Sequence, residues 1–455
     1  MVVIKARIKL ITILRLVLLW FLIVVGSTTH NNSLVSVSAL NNNLIFPTTT
    51  RNPLSSLLSS FSFSSSSSNQ QPNVGRVSAG PLQISSLGIG TWSWGNRFLF
   101  DYDTSQDDDL YSAYRELRQA GVTLFDTADS YGTLDLNGRA EQLLGIFERR
   151  YRTERGIIDD NTKNNDNQKD TDGGGGGVVP KPSLMTMLLS SSSSSSSSST
   201  LSPSKYLPQQ VATKLAPYPW RVTPSQIVNA AKGSLRRLEQ PKLAIAQLHW
   251  STANYQPFQE RALWEGICDV YDQGLCDAIG VSNYGPQQLQ KLCTYLENER
   301  PTPVPLAIAQ IQYSLMTYGQ DVTQDMDDVC NNVNCRLVAY SPLCLGLLTG
   351  KYTLDKLPTS TARRQLFREL LPGATPLLNT LNVIAKEYGK TQSQVAINWC
   401  ICKGTVPIPG ARNAVQAKEN LGATGWSLKP DAVRALDDAA KQVSKPMIQN
   451  IFQTK

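Results

Sequence analysis

The sequence predicts an α/β fold of the (β/α)8 barrel class, preceded by a leader and interrupted by one low-complexity insertion. Two observations carry the barrel. Eight short apolar runs alternate with amphipathic segments of helical period, the pattern of a parallel sheet with crossover helices. The polar residues suited to proton chemistry follow successive runs at their C-terminal ends, where barrel active sites form. A third observation bounds the size: without leader and insertion, the 455 residues reduce to about 330, room for one barrel. A doubly wound sheet is the competitor. Its dinucleotide fingerprint almost appears at Gly88-Ile89-Gly90-Thr91-Trp92-Ser93, but the third glycine is missing, and the near match is discounted.

Residues 1–75 read as targeting sequence. Lys5, Arg7 and Lys9 precede an uncharged run from Leu16 to Val25, a basic n-region and an apolar h-region too short to span a bilayer comfortably. A longer reading from Ile8 takes in Lys9 and Arg15 and keeps a signal anchor as the alternative. Small residues at Gly26-Ser27 and at Val37-Ser38-Ala39 offer two cut positions. Acid-free, Ser- and Asn-rich sequence then runs to about Asn73, the composition of a transit peptide. Together they resemble a two-part address to a plastid enclosed by extra membranes; plain secretion through the endoplasmic reticulum is the alternative. The eight cysteines, all between Cys268 and Cys402 and mostly in apolar runs, fit buried thiols in a reducing compartment.

The net charge of +7 belongs to the leader end. Residues 1–100 hold seven bases and no acid, so the remaining 36 bases and 36 acids balance. Nucleic-acid binding by the body is disfavoured, because phosphate recognition needs a concentrated basic patch.

The body spans 76–455. Its strands are expected at Leu87–Thr91, Gly121–Phe125, Gln210–Thr213, Leu243–Leu248, Ala278–Val281, Leu306–Ile311, Arg336–Tyr340 and Val406–Pro409. Helices are expected at Leu110–Gln119, Gln259–Asp272, Gln287–Leu296 and Pro376–Tyr388. Another starts at Thr223-Pro224, a cap followed by proline in the first turn, with Ile227, Ala231, Leu235 and Leu238 on one face. The block 156–205 contains glycines from Gly173 to Gly177 and serines from Ser190 to Ser199. Such composition cannot build a packed core, and it reads as a disordered insertion within the barrel.

Chemistry-bearing residues cluster after the strands. Asp126 and Tyr131 follow the second, Lys214 ends the third, His249 the fourth, and Ser282 with Asn283 the fifth. Taken singly, a lysine is usually solvated and a histidine usually structural. Their joint placement at one end of successive strands points to proton transfer. No G-x-S-x-G elbow supports a serine nucleophile. With one histidine outside the leader and no cysteine pair at zinc spacing beside it, no metal site assembles. Cys400-x-Cys402 and Cys330-x4-Cys335 read as parts of helices or turns.

A series of motifs runs along the body: Gly90-Thr91-Trp92-Ser93-Trp94-Gly95, Asp126-Thr127-Ala128-x-x-Tyr131-Gly132, Thr213-Lys214, Gln247-Leu248-His249-Trp250 and Gly280-Val281-Ser282-Asn283-Tyr284. Gln310-Ile311-Gln312-Tyr313, Tyr340-Ser341-Pro342-Leu343, Thr349-Gly350-Lys351-Tyr352, Pro409-Gly410-Ala411-Arg412 and Glu419-Asn420-Leu421 continue it. On these motifs the sequence resembles the aldo-keto reductase superfamily, and its plant chloroplast-type branch in particular. Ser251 and Ala140 depart from the common pattern. The resemblance implies NADPH-dependent reduction of an aldehyde or ketone, a small-molecule carbonyl substrate, and no metal or nucleic acid. Tyr131 would be the general acid, Lys214 would lower its pKa, Asp126 would hold Lys214, and His249 would orient the carbonyl oxygen. Ser282, Asn283 and Gln310 would meet the carboxamide, and Tyr340 would stack on the nicotinamide. Ser341, Leu343 and Lys351 would lie by the pyrophosphate. Arg412, Gln416, Glu419 and Asn420 would surround the adenosine, with Arg412 facing the 2′-phosphate. Thr91, Trp92 and Gly410 complete the expected cofactor contacts. Trp92, Trp94, Phe98, Trp250 and Tyr284 are candidates for an apolar substrate pocket. The alternatives are a redox-sensing barrel with little turnover and a plastid protein associated with lipid bodies or membranes.

Overall fold

In the computed structural model, residues 74–157, 206–319 and 321–455 are described. The leader expected over 1–75, and nearly all of the expected insertion, lie outside them. A hairpin comes first: β1 (Arg76–Ala79) pairs antiparallel with β2 (Leu82–Ser85). Eight parallel strands follow: β3 (Ile89–Gly90), β4 (Leu124–Ala128), β5 (Gln210–Leu215), β6 (Leu243–Leu248), β7 (Cys276–Ser282), β8 (Leu306–Gln312), β9 (Arg336–Tyr340) and β10 (Val406–Ile408). They are ordered β10-β9-β8-β7-β6-β5-β4-β3. The ends meet where Gly88 N–H donates to the Pro407 carbonyl at 3.0 Å and Gly90 N–H to that of Pro409 at 3.3 Å. The barrel is therefore closed, and the doubly wound alternative is excluded.

This closure also accounts for the glycines that mimic a dinucleotide fingerprint. A Cβ on Gly88 would come within 2.9 Å of both Ile408 and Leu124, and one on Gly90 within 3.0 Å of the Ile408 carbonyl oxygen. Both positions need a bare backbone so that first and last strands can touch.

The hairpin escapes a reading that starts at Leu87. Ala79 and Ile84 are fully buried against inward residues of the strands, among them Leu124, Ala212, Ile245, Ala307, Ile308, Val406 and Ile408. It plugs the barrel at the N-terminal ends of the strands. The opposite end stays open.

The second strand begins three residues later than expected. Gly121 adopts φ +89° and its N–H returns to Arg118, while that of Val122 returns to Leu117. These residues close the preceding helix, Asp107–Gln119, rather than start a strand. Asp126 consequently sits within β4, not after it.

The helix Pro224–Leu238 carries the anticipated proline start, with a reciprocal capping box between Thr223 and Gln226. Ile227, Ala231, Leu235 and Leu238 are its buried face. The helix expected from Pro376 starts at Thr361 and runs to Glu387, through Pro372 and Pro376. Phe367, Leu370, Leu371, Ala374, Leu377 and Leu381 bury one continuous face, and this packing outweighs the lost backbone bonds. All eight cysteines are free thiols, seven of them buried. Cys400 and Cys402 lie in the helix Gln392–Cys402, and Cys330 lies in the helix Asp321–Asn332, with Cys335 in the turn after it.

Candidate active site

The open end of the barrel holds a cavity of about 880 Å³. Asp126, Tyr131, Lys214 and His249 all line it, although they come from β4, the loop after it, β5 and the end of β6. Parallel strands in register bring them together: Ala128 pairs with Lys214, and Leu215 with Leu248.

Lys214 is almost wholly buried, and its Nζ donates to Asp126 Oδ2 at 2.5 Å and to the Thr127 carbonyl at 2.8 Å. Asp126 Oδ1 accepts from Gln310 Nε2 at 2.7 Å and from Gln247 Nε2 at 3.3 Å. Both oxygens of that carboxylate therefore have donors, which makes a buried charge tolerable. Burial pulls the Lys214 pKa below its ordinary value, against the pull of Asp126.

Tyr131 packs its ring 4.9 Å from Lys214 Nζ and 5.7 Å from the His249 ring. Its phenol pKa is raised well above the ordinary value, first by burial and then by the Asp126 carboxylate and Tyr340. The expected lowering by Lys214 is not found. Asp126 balances that ammonium, leaving little net positive field at the phenol. Tyr131 is accordingly a fully protonated donor at neutral pH. His249 is pushed well below the ordinary histidine range, by burial and then by Lys214. It is a neutral imidazole, with Nδ1 3.4 Å from Ser130 Oγ.

The next layer is equally connected. Asn283, at φ +60° just past β7, donates from Nδ2 to the His249 carbonyl at 3.1 Å and to Ser282 Oγ at 3.1 Å. Its Oδ1 accepts from the Tyr340 hydroxyl at 2.8 Å. Glu260, from the helix Pro257–Asp272, ties the two loops together: it accepts from Thr252 N–H at 2.6 Å and from the Tyr284 hydroxyl at 2.7 Å.

Trp92, Ser282, Asn283, Gln310, Tyr340, Ser341, Leu343, Lys351, Gly410, Arg412, Gln416, Glu419 and Asn420 all lie on the cavity wall. Thr91 does not; it is fully buried, with its hydroxyl on the Asp126 carbonyl at 3.0 Å. Of the pocket candidates, Trp92 and Trp250 line the cavity. Trp94 is buried elsewhere, donating to the Ala411 carbonyl, Tyr284 is spent on Glu260, and Phe98 faces solvent.

Two features were beyond sequence reading. Arg363, at the start of the helix Thr361–Glu387, lines the cavity, donates to the Leu345 carbonyl at 2.9 Å and keeps a buried Nε with no partner. Its charge, after burial, lowers the pKa of Arg412. Nothing in its local sequence separates it from the neighbouring Arg364. The segment 444–452 also forms cavity wall, with no motif to mark it.

Near the two arginines the loop after β9 is tightly coiled, with positive φ at Ser341, Cys344, Leu345 and Gly346. Residues held there cost backbone energy and concentrate where a ligand is gripped. The Ser93 hydroxyl is buried without a partner beside Gly410. Facing cations, Lys351 and an orphaned guanidinium nitrogen suit the phosphates of the expected dinucleotide. Among the described residues no group of three or more His, Cys, Asp or Glu could hold a metal, and no helix is long and apolar enough to cross a membrane.

A closed parallel barrel with a buried Asp–Lys pair, a tyrosine and a histidine at its open end defines a class of cofactor-using barrel proteins. The aldo/keto reductase family model matches residues 86–171 and 200–441. The chain belongs to the aldo/keto reductase family. It is 47% identical over 380 residues to a chloroplastic pyridoxal reductase from Arabidopsis thaliana, covering 84% of this chain and 90% of that one. Among solved structures, a glycerol dehydrogenase from Gluconobacter oxydans superposes with a TM-score of 0.59 at 20% identity, covering 85% of this chain and 100% of that one. An aldo-keto reductase from Bombyx mori, in complex with NADP, gives 0.52 at 17% identity over 81% and 93%.

Proposed function

We propose that the protein is an NADPH-dependent carbonyl reductase that converts an aldehyde, pyridoxal foremost, to its alcohol in a plastid. The observation that supports it most is the buried Lys214–Asp126 pair beneath the Tyr131 ring, with neutral His249 alongside. The Arabidopsis relative supplies the substrate and the compartment, and the leader composition agrees with the latter. On this reading residues 76–455 are one reductase unit, and the low-complexity block interrupts it without contributing to the site.

The cofactor would lie along the wall from Arg412, Gln416, Glu419 and Asn420, past Lys351, Ser341 and Leu343, to Tyr340, Asn283, Ser282 and Gln310. Gly410 and Trp92 would flank it. When bound, it supplies the hydride that the carbonyl carbon receives. The chain's own residues do the rest. Tyr131 gives its phenolic proton to the carbonyl oxygen as negative charge develops there. His249, held on one nitrogen by Ser130, hydrogen-bonds the same oxygen and fixes its direction. A neutral imidazole suits this, since it orients the oxygen without competing as a proton source. Asp126 keeps Lys214 in place under the Tyr131 ring, where the ammonium packs 4.9 Å from the ring centre and fixes its position. Arg412 and Arg363, both on the cavity wall, would hold the phosphorylated end of the cofactor.

The test is steady-state NADPH oxidation by the purified body with pyridoxal, alongside NADH. Turnover with NADPH supports the reading. Tight NADPH binding with negligible turnover across a panel of aldehydes would replace it with a redox-sensing barrel.

A further inference from the structure

The helix Asp321–Asn332 closes in a left-handed turn. Asn334 takes φ +51°. Cys335 N–H returns to the Cys330 carbonyl at 3.0 Å, and Asn334 N–H to that of Asn331 at 3.3 Å. This nested pair of bonds is the Schellman closure, which is accompanied by side-chain contact between its first and last residues. Both of those residues are cysteines. A 3.0 Å bond from the amide of one to the carbonyl of the other leaves their Cα atoms less than about 7 Å apart, within the reach of a disulfide. Cys330 is 2% exposed and Cys335 7%, so each thiol fills the contact as a small apolar side chain. The two thiols are also hydrogen-bonded, and that bond, ahead of burial, pushes the Cys330 pKa above the ordinary thiol value. Cys293, on the helix Pro286–Asn298, lies in the same neighbourhood: burial and then Cys335 raise its pKa. Other cysteines are engaged elsewhere. Cys344 donates to Met447 Sδ at 2.9 Å and Cys402 to Asn398 Oδ1 at 3.3 Å, and Cys400 and Cys402, two apart on one helix, point to different faces.

We infer that Cys330 and Cys335 are a modification site: a dithiol that a small-molecule disulfide, such as glutathione disulfide, converts to an intramolecular disulfide. The site stands apart from the reductase reading, since neither cysteine lines the cavity. Cys335 is the point of entry. It lies past the helix end, in the turn before β9, and is the less buried of the two. When the closing turn frays, its thiolate attacks one sulfur of the oxidant; the S–S bond of the oxidant breaks, and the released thiolate takes up a proton. The mixed disulfide on Cys335 then lies against Cys330, whose thiolate attacks Cys335 Sγ and expels the second thiol. The two protein thiols together lose two electrons and two protons, and the oxidant is reduced to two thiols. A dithiol reductant reverses the exchange. With the turn closed the reaction is slow, because Cys330 holds its proton and both groups are covered. The product joins two residues that the backbone already holds together, so it staples the end of the helix to the residue that precedes β9 (Arg336–Tyr340).

The experiment equilibrates the purified chain with glutathione disulfide, quenches with acid, alkylates the remaining thiols in denaturant and maps the peptides by mass. The wild-type chain should lose two of its eight free thiols. The peptide that holds Cys330 and Cys335 should be lighter by two hydrogens, and dithiothreitol should restore both thiols. Cys330→Ser should stop at a glutathione adduct on Cys335, the intermediate of the exchange. Cys335→Ser should form no internal disulfide, and Cys402→Ser should oxidise like the wild type. In the oxidised wild-type chain the amides of 329–335 should exchange with deuterium at least about tenfold more slowly, because the staple opposes opening of the turn. Eight thiols still free after equilibration, or a bond from Cys335 to Cys293, overturns the inference; both results are read from the wild-type chain and need no variant to fold. Amide exchange as fast in the oxidised chain as in the reduced one overturns the staple.

Discussion

Lys214 Nζ lies 2.5 Å from Asp126 Oδ2, and the two side chains are 1% and 4% exposed. Removing one partner of such a buried pair strands the other charge, which costs about 3–5 kcal/mol. Asp126→Asn should therefore lose stability of that order in urea unfolding. The double variant Asp126→Asn/Lys214→Met should recover most of it, since no uncompensated charge remains. A loss of about 1 kcal/mol or less, typical of a surface pair, would contradict this account.

Tyr131→Phe should separate chemistry from binding. The phenolic proton matters only as charge develops on the carbonyl oxygen. Reduction should fall by at least the 10²–10⁴-fold roughly expected of a general acid. NADPH affinity, read by tryptophan quenching, should move by less than about threefold. A near wild-type rate would remove Tyr131 as the acid.

The pH profile follows from the directions of two shifts. His249 titrates below the ordinary value of about 6.5 and Tyr131 above about 10. An acid of raised pKa is fully protonated below it, so activity is lost only as pH climbs through that raised value. The kcat/KM for reduction should be flat from about pH 6.5 to 9. An alkaline limb inside that window would mean that Lys214 governs Tyr131 during turnover, as the sequence alone suggested.

Arg412 donates to the Phe100 carbonyl at 2.6 Å, and its guanidinium carbon and that of Arg363 both lie about 6 Å from the centre of the Phe100 ring. Two confined like charges on one cavity wall favour an anion beside them. Arg412→Ala should weaken NADPH by roughly one to two decades, the equivalent of a charged hydrogen bond, and leave NADH little changed. Equal losses for both would make Arg412 structural.

Residues 157 and 206 bracket the low-complexity block between the helix Arg139–Glu154 and β5, at the end of the barrel opposite the cavity. Deleting 158–205 should leave the melting temperature and the rate nearly unchanged. The cut must spare Tyr206 and Leu207, because the Tyr206 hydroxyl bonds buried Glu148 and Arg118 bonds the Leu207 carbonyl. Resuming the chain at Pro208 instead should lower the melting temperature measurably.

Strand identity was legible because parallel barrel strands are apolar on both faces and short, so Leu243–Leu248 and Arg336–Tyr340 could be bounded by pattern alone. The cluster of Asp126, Tyr131, Lys214 and His249 was legible because each lies in or just after one of three successive apolar runs. Other features escaped because their cause is tertiary. Gly121 reads as a strand start until the helix before it is seen to close there. The helix through Pro372 violates local propensity and is held by its buried face. The electrostatics of Tyr131 turned on whether Asp126 cancels Lys214, which no spacing reveals. Phe452 lies 202 positions from Trp250 and stacks on it, with no pattern that announces their contact.

The seam at which Gly88 meets Pro407, reinforced by the bond from Trp94 Nε1 to the Ala411 carbonyl across 317 residues, dictates when the molecule can finish folding. Local strand–helix–strand units are free to form as the chain emerges from the ribosome, but the first strand has no second neighbour until nearly all of the sequence has been made. Such a long-range closure carries a loop-closure entropy cost that must be met before the seam rewards it, which slows the last step of folding. The inserted block adds little to that delay, because loop-closure entropy grows only with the logarithm of length. Until the seam is sealed, the edges of β3 and β10 remain open to pairing with other chains, so refolding yield should fall as protein concentration rises.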